Sequence, residues 1–137
     1  MPYMTDQHAN ISRERAANMN PVVLAFVGDA VQSLLVRREL ALSSDSKTGA
    51  LQKRAAQLVS AKGQAKQYAK ICGLLTEEEK EIFRRARNAK KPTKSKNADV
   101  AEYNISTGFE AVLGYLYLTG AHERLRELVA AGEEDED

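Results

Sequence analysis

Two carboxylates stand in stretches that otherwise carry no charge. From Ala16 to Val36 the only charged residue is Asp29, inside Val22-Val23-Leu24-Ala25-Phe26-Val27-Gly28-Asp29-Ala30-Val31. From Ile105 to Gly120 it is Glu110, inside Thr107-Gly108-Phe109-Glu110-Ala111-Val112-Leu113-Gly114-Tyr115. Segments this apolar read as buried helices. An isolated carboxylate there must be paired, protonated or bound to a cation, because its uncompensated burial is costly. At helical spacing Asp29 shares a face with Ala25, Phe26 and Ser33, and Glu110 shares one with Ser106, Thr107 and Gly114, neighbours that are mostly small or polar. Gly28 and Gly114 each forfeit about 1 kcal/mol of helix propensity against Ala, a loss explained by one helix packing closely on another. The two helices are therefore expected to meet near the acids. Two carboxylates in one place repel unless one takes a proton or a divalent cation bridges them. Mg²⁺ suits the second case, since it prefers oxygen ligands and is often held by one or two carboxylates with several waters. A structural alternative stays open: Asp29 paired with Arg37 or Arg38, and Glu110 a satisfied core acid.

The cations are grouped as unevenly as the acids. The net charge is +1, but five acids close the chain (Glu133, Glu134, Asp135, Glu136, Asp137), so the other 132 residues carry +6. Ser46 to Thr76 holds six basic residues and no acid, and Arg84 to Lys96 holds seven and no acid. Taken alone, the first block reads as solvated helix faces. The second contains Pro92, Thr93, Ser95 and Asn97, which mark a loop where so many cations gain nothing structural. Phosphate contact is the natural use of such blocks, because neutralising phosphates releases condensed counterions. The candidates are Lys53, Arg54 and Lys62 from the first block, and Arg84, Arg85, Arg87, Lys90, Lys91, Lys94, Lys96 and Asn97 from the second. A metal to activate water and cations to hold a phosphate backbone are together what metal-assisted phosphodiester hydrolysis requires.

The elements that must position these groups read as all-α. The chain has 137 residues, 43% hydrophobic and 28% charged, an ordinary balance for a single globular domain. Its longest strictly apolar run is Val22 to Val27, far below the ~20 residues that span a bilayer, and no signal-peptide core opens the chain. No membrane role is expected. A single cysteine, Cys72, excludes an internal disulfide, and a cytoplasmic setting is expected. About seven helices are predicted: Ile11 to Ala17; Pro21 to about Leu42, capped by Asn20; Lys47 to Val59; Ala61 to Ile71, with Gly73 as C-cap; one opened by the capping box Thr76 to Glu79 and ending at Arg84, Arg85 and Arg87; Ile105 to Leu118; and Ala121 to Ala131. Residues 1–18 form an extension with a short helix, 19–131 the domain, and 132–137 an acidic disordered tail. Cys72 reads as a small buried group, His8 and His122 as surface residues, Tyr115 and Tyr117 as core or interface, and Tyr103 as facing a substrate.

Phe26-Val27-Gly28-Asp29-Ala30-Val31 resembles the signature segment of the ribonuclease III catalytic domain, and Phe109-Glu110-Ala111-Val112-Leu113-Gly114-Tyr115-Leu116-Tyr117-Leu118 resembles its second acidic motif. Met19-Asn20-Pro21, Arg87-Asn88-Ala89-Lys90, Lys96-Asn97-Ala98-Asp99-Val100 and Gly114-Tyr115-Leu116-Tyr117-Leu118-Thr119-Gly120 resemble the Mini-ribonuclease III branch, which lacks the double-stranded-RNA-binding domain. The resemblance implies an all-α homodimer that cuts double-stranded RNA with Mg²⁺ and leaves 5′-phosphate and 3′-hydroxyl ends. It implies a 23S ribosomal RNA precursor as substrate, matured at its base-paired stem, with a ribosomal protein on that substrate as a further partner. Asp29 and Glu110 would be the catalytic metal ligands, and the basic loop would take over phosphate contacts. Two further glutamates of the usual motif fall on Val22 and Ala25 here, and an aspartate falls on Thr107. One well-held Mg²⁺, or a second recruited with the substrate phosphate, is then expected, with weak affinity.

Two other classes compete. A non-catalytic dimeric module could hold structured RNA in the same groove, although a pure binder gains from losing negative charge beside phosphates. A helical interaction protein with paired acids would bind RNA with little salt dependence, whereas about six phosphate contacts give a log–log slope near −5.

Overall fold

The computed structural model describes residues 10–43, 45–91 and 99–133. Among the described residues there are seven α-helices and no strand: α1 Arg13–Ala17, α2 Pro21–Ser43, α3 Thr48–Val59, α4 Ala61–Ile71, α5 Glu77–Asn88, α6 Val100–Leu118 and α7 His122–Glu133, with a 3₁₀ turn Cys72–Leu74 between α4 and α5. The starts are set by side chains that take up orphan amides. Asn20 Oδ1 accepts from Val22 N–H at 2.9 Å, with Pro21 at the first helical position. Ser60 caps α4 through Gly63 N–H. Thr76 and Glu79 complete the expected capping box on α5.

The long helix α6 is the axis of the domain. Residues 106–109 and 111–116 of it are buried, packed against α2, α4 and α5, with Leu24, Ile71, Ile82, Phe109, Leu113 and Leu128 filling the core. Tyr68 stacks on Phe83 at 4.1 Å between ring centroids. At the α5–α7 corner, buried Glu79 receives Arg124 Nη2 at 2.8 Å and Nε at 3.0 Å, while Arg124 Nη2 also donates to Leu74 O. Burial alone would raise the Glu79 carboxyl, but the Arg124 guanidinium and the Thr76 amide hold it below the usual range. No helix among the described residues is long and apolar enough to cross a membrane.

The fold departs from expectation in several places. The helix around Asp29 is not buried all round: Phe26 is 79% exposed, Leu34 66% and Val23 44%, and Asp29 itself is exposed. An apolar helix face reads the same whether it meets a core or an unfilled surface. The helix carrying Glu110 begins at Val100 rather than Ile105, because Asp99 accepts from Ala101 and Glu102 N–H. Arg84, Arg85 and Arg87 lie on α5, as its predicted end requires, so the loop reading of the second basic block does not hold for its first three cations. Gly73 sits in the 3₁₀ turn with no left-handed backbone, and Cys72 is exposed rather than buried. The last helix continues to Glu133. His8, Lys94, Lys96, Asn97 and residues 134–137 of the acidic tail lie outside the described residues.

Candidate active site

The site follows from how closely α2 and α6 approach. A Cβ added to Gly28 would lie 1.7 Å from Glu110 O, and one added to Gly114 would lie 2.0 Å from Leu24 O. Gly28 thus faces Glu110 and Leu24 faces Gly114, so the helices pass in opposite senses with their backbones touching. This is the close packing expected from the two glycines. It carries Asp29, the next residue after Gly28, to the Glu110 side chain.

The Asp29 carboxyl acts on the Glu110 carboxyl both as a hydrogen-bonding neighbour and as a charge, and the two residues line one cleft. Neither Arg37 nor Arg38 neutralises Asp29: Arg37 Nε donates to Ser33 Oγ at 3.2 Å, and Arg38 pairs with Glu39 at 3.0 Å. Burial pushes the Glu110 carboxyl up to about 8; the hydrogen bond and charge of Asp29 push the same way, and a hydrogen bond donated by Gln64 opposes them. Glu110 therefore keeps its proton at neutral pH when nothing else neutralises the site.

This has a measurable consequence. The Glu110 carboxyl is raised from its ordinary 4.5 to about 8, so between those values the folded state binds more protons than the unfolded chain and its stability falls as pH rises. Thermal unfolding in EDTA is expected to give a lower Tm at about pH 8.5 than at about pH 5.5. Glu110→Gln should reduce that decline and raise the Tm at the higher pH. An unchanged pH profile in the variant would show that Glu110 is not its source.

Both acids open on a cleft of ≈ 640 Å³ between α2, α4 and α6. Val22, Ala25 and Thr107, the positions aligned with the missing acids, line the same cleft. Lys62 from the start of α4 and Lys91 after α5 bring cations to it, and Tyr103 and Glu102 complete its α6 side. The oxygen-only pair fits a hard divalent cation that keeps several waters, such as Mg²⁺. Among the described residues no group of three or more acidic, His or Cys side chains is placed to hold a metal ion together, so a closed all-protein cage is not built from them.

The remaining predicted cations divide. Arg54 and Lys62 line a second groove of ≈ 470 Å³ with Lys66 and Lys70, and Arg87, Lys90 and Lys91 share a hollow with Asn104. Lys53 is exposed on α3. Arg84 is bound to Glu81 one turn earlier. Arg85 is half-buried and donates to Ala17 O, tying α5 to α1. Sequence reasoning missed Gln64, whose amide touches Glu110, and Glu102.

A family model for the Ribonuclease III domain matches residues 22–121. The chain is 44% identical to a Mini-ribonuclease 3 of Thermoanaerobacter sp. (strain X514) over 87% of its own length and 84% of the relative's. It is 49% identical to a Mini-ribonuclease 3 of Streptococcus pneumoniae over 82% and 89% of the two lengths. Its fold is similar to a crystal structure of a Fusobacterium nucleatum protein, with a TM-score of 0.73 at 33% identity, covering 82% of this chain and 90% of that one.

Proposed function

The chain belongs to the ribonuclease III family and is an endoribonuclease; on that premise we propose that it cleaves double-stranded RNA with Mg²⁺ held by Asp29 and Glu110. The observation that carries this is the pairing of the Asp29 and Glu110 carboxyl groups in a cleft that Lys62 and Lys91 also line. A divalent ion bound there supplies positive charge that acidifies a water and offsets charge developing on the scissile phosphate. Glu110 would give up its proton so that both carboxylates could hold that ion. Lys62 and Lys91 draw the backbone phosphates to the cleft, as cations opposite a polyanion do. In the hydrolysis a water oxygen attacks phosphorus, the P–O3′ bond breaks and the leaving oxygen takes a proton, giving 5′-phosphate and 3′-hydroxyl ends. The substrate we assign is the base-paired stem of a 23S ribosomal RNA precursor in the cytoplasm.

Cutting both strands takes two sites, and the exposed apolar stripe Val23, Phe26 and Leu34 on α2 supports a homodimer formed through this helix. Phe26→Glu is expected to shift sedimentation from dimer to monomer, and a wild-type chain that sediments as a monomer at micromolar concentration would overturn the homodimer.

The test of the activity is incubation of the purified protein with a long RNA duplex, and with each of its strands alone, in Mg²⁺ or EDTA. Cleavage of the duplex only, only with Mg²⁺, and with 5′-phosphate ends is expected. Duplex that is shifted on a native gel but left intact in Mg²⁺ would favour the non-catalytic RNA-binding module instead.

A further inference from the structure

Three buried glutamines form a one-way chain of amides that ends on Glu110. Gln32, Gln64 and Gln67 are 0%, 2% and 3% exposed. The chain starts at Leu58 O in the last turns of α3, which accepts from Gln67 Nε2 at 2.7 Å. A carbonyl can only accept, so Gln67 must turn its nitrogen to it and its oxygen away. That oxygen accepts from Gln32 Nε2 at 2.9 Å. Gln32 Oε1 in turn accepts from Gln64 Nε2 at 2.6 Å. The second proton of the same nitrogen goes to Glu110 Oε2 at 3.1 Å. The sense of every amide is thus fixed by one backbone carbonyl, and α2, α3 and α4 all contribute to it.

We propose that Gln64, oriented by the Gln32–Gln67–Leu58 relay, is a positioning residue that holds the Glu110 carboxylate in a single orientation toward Asp29 and so presets the pair for a divalent cation. Reversing the Gln64 amide would place its oxygen against two acceptors, Gln32 Oε1 and Glu110 Oε2. The relay therefore allows one arrangement, and a buried donor on one carboxylate oxygen restricts rotation of the whole group. Buried polar partners that orient a metal-ligating carboxylate typically change metal affinity about 10–100-fold when removed. The inference rests on the reading of Asp29 and Glu110 as the cation's ligands.

The experiment compares the full-length wild type with Gln64→Met and Gln67→Met. Mn²⁺ affinity of the RNA-free proteins is measured by titration calorimetry, the Mg²⁺ dependence of duplex cleavage by kinetics, and the fold by thermal unfolding. Gln64→Met is expected to raise the Mn²⁺ Kd and the Mg²⁺ midpoint at least about tenfold, with kcat recovering at high Mg²⁺ and KM for duplex unchanged. Gln67→Met keeps Gln64 in place but removes its anchor, and should shift both in the same direction by a few-fold; it decides the matter should Gln64→Met fail to fold. Wild-type Kd and midpoint in a folded variant would overturn the relay's role, as would a wild type that binds no Mn²⁺. A wild type that binds Mn²⁺ yet leaves duplex uncut would remove the nuclease reading, while the Mn²⁺ Kd values would still judge the relay.

Discussion

Asp29→Asn is expected to lower turnover of duplex RNA by about 10³-fold or more with Tm within a few degrees of wild type. Removing one of the two carboxylates assigned to the cation forfeits several kcal/mol of charge stabilisation at the phosphate, and each 1.36 kcal/mol is tenfold in rate. The fold should tolerate the change because Asp29 is solvent-exposed and asparagine keeps the size and one acceptor oxygen. Loss of the Asp29 charge also removes one of the influences that raise the Glu110 carboxyl. The metal-free variant should then be at least as stable as wild type above neutral pH. Duplex binding should persist or tighten slightly, since a negative charge has left a cleft lined by Lys62 and Lys91. Single-turnover cleavage with enzyme in excess, beside a filter-binding titration, separates the two quantities. Retention of more than about a tenth of wild-type single-turnover cleavage would remove Asp29 from the metal site.

That site was half legible in the sequence, for a definite physical reason. Charge is scarce in Ala16 to Val36 and Ile105 to Gly120, so an acid there stands out, and two glycines at helical spacing disclose where backbones meet. Val22, Ala25 and Thr107 could likewise be placed in the cleft by alignment with the family's acids. The glutamines could not. Gln64 and Gln67 stand in Ala61–Ile71 among Lys62, Lys66 and Lys70, where an uncharged polar residue is indistinguishable from a solvated one until α2 covers it. Whether the apolar side of α2 faced core or solvent was hidden for a related reason: Val23, Phe26 and Leu34 look like Leu24 and Val31 in any hydropathy pattern, and only the position of α6 separates them. Asp99 illustrates the local limit. Placed beside a cationic stretch with Pro92 it reads as loop, whereas its side chain starts α6 by accepting from two amides and so lengthens the helix by a turn.

The other large effect concerns the crossing that makes the site. Gly28→Ala is expected to destabilise the protein by about 3 kcal/mol or more, because overpacking costs typically 1–3 kcal/mol even where side chains can yield. Here they cannot yield: the new Cβ would sit 1.7 Å from Glu110 O and 2.9 Å from Gly114 N, both backbone atoms of α6. The only relief is to push α2 and α6 apart, which opens the core around Leu24 and Phe109 and carries Asp29 away from Glu110. Against a total stability on the order of 10 kcal/mol some chains will still fold, and they should cleave poorly at any Mg²⁺ concentration. Gly114→Ala meets Leu24 O at 2.0 Å and should behave alike. Gly49→Ala is the control: nothing lies within 4 Å of its Cβ, and in the first turn of α3 the better helix former should be neutral or add about 0.5 kcal/mol. Urea unfolding of the three variants orders them. Should Gly28→Ala unfold at the wild-type midpoint, the two backbones must be able to separate freely, and the pairing of Asp29 with Glu110 would lose the crossing that enforces it.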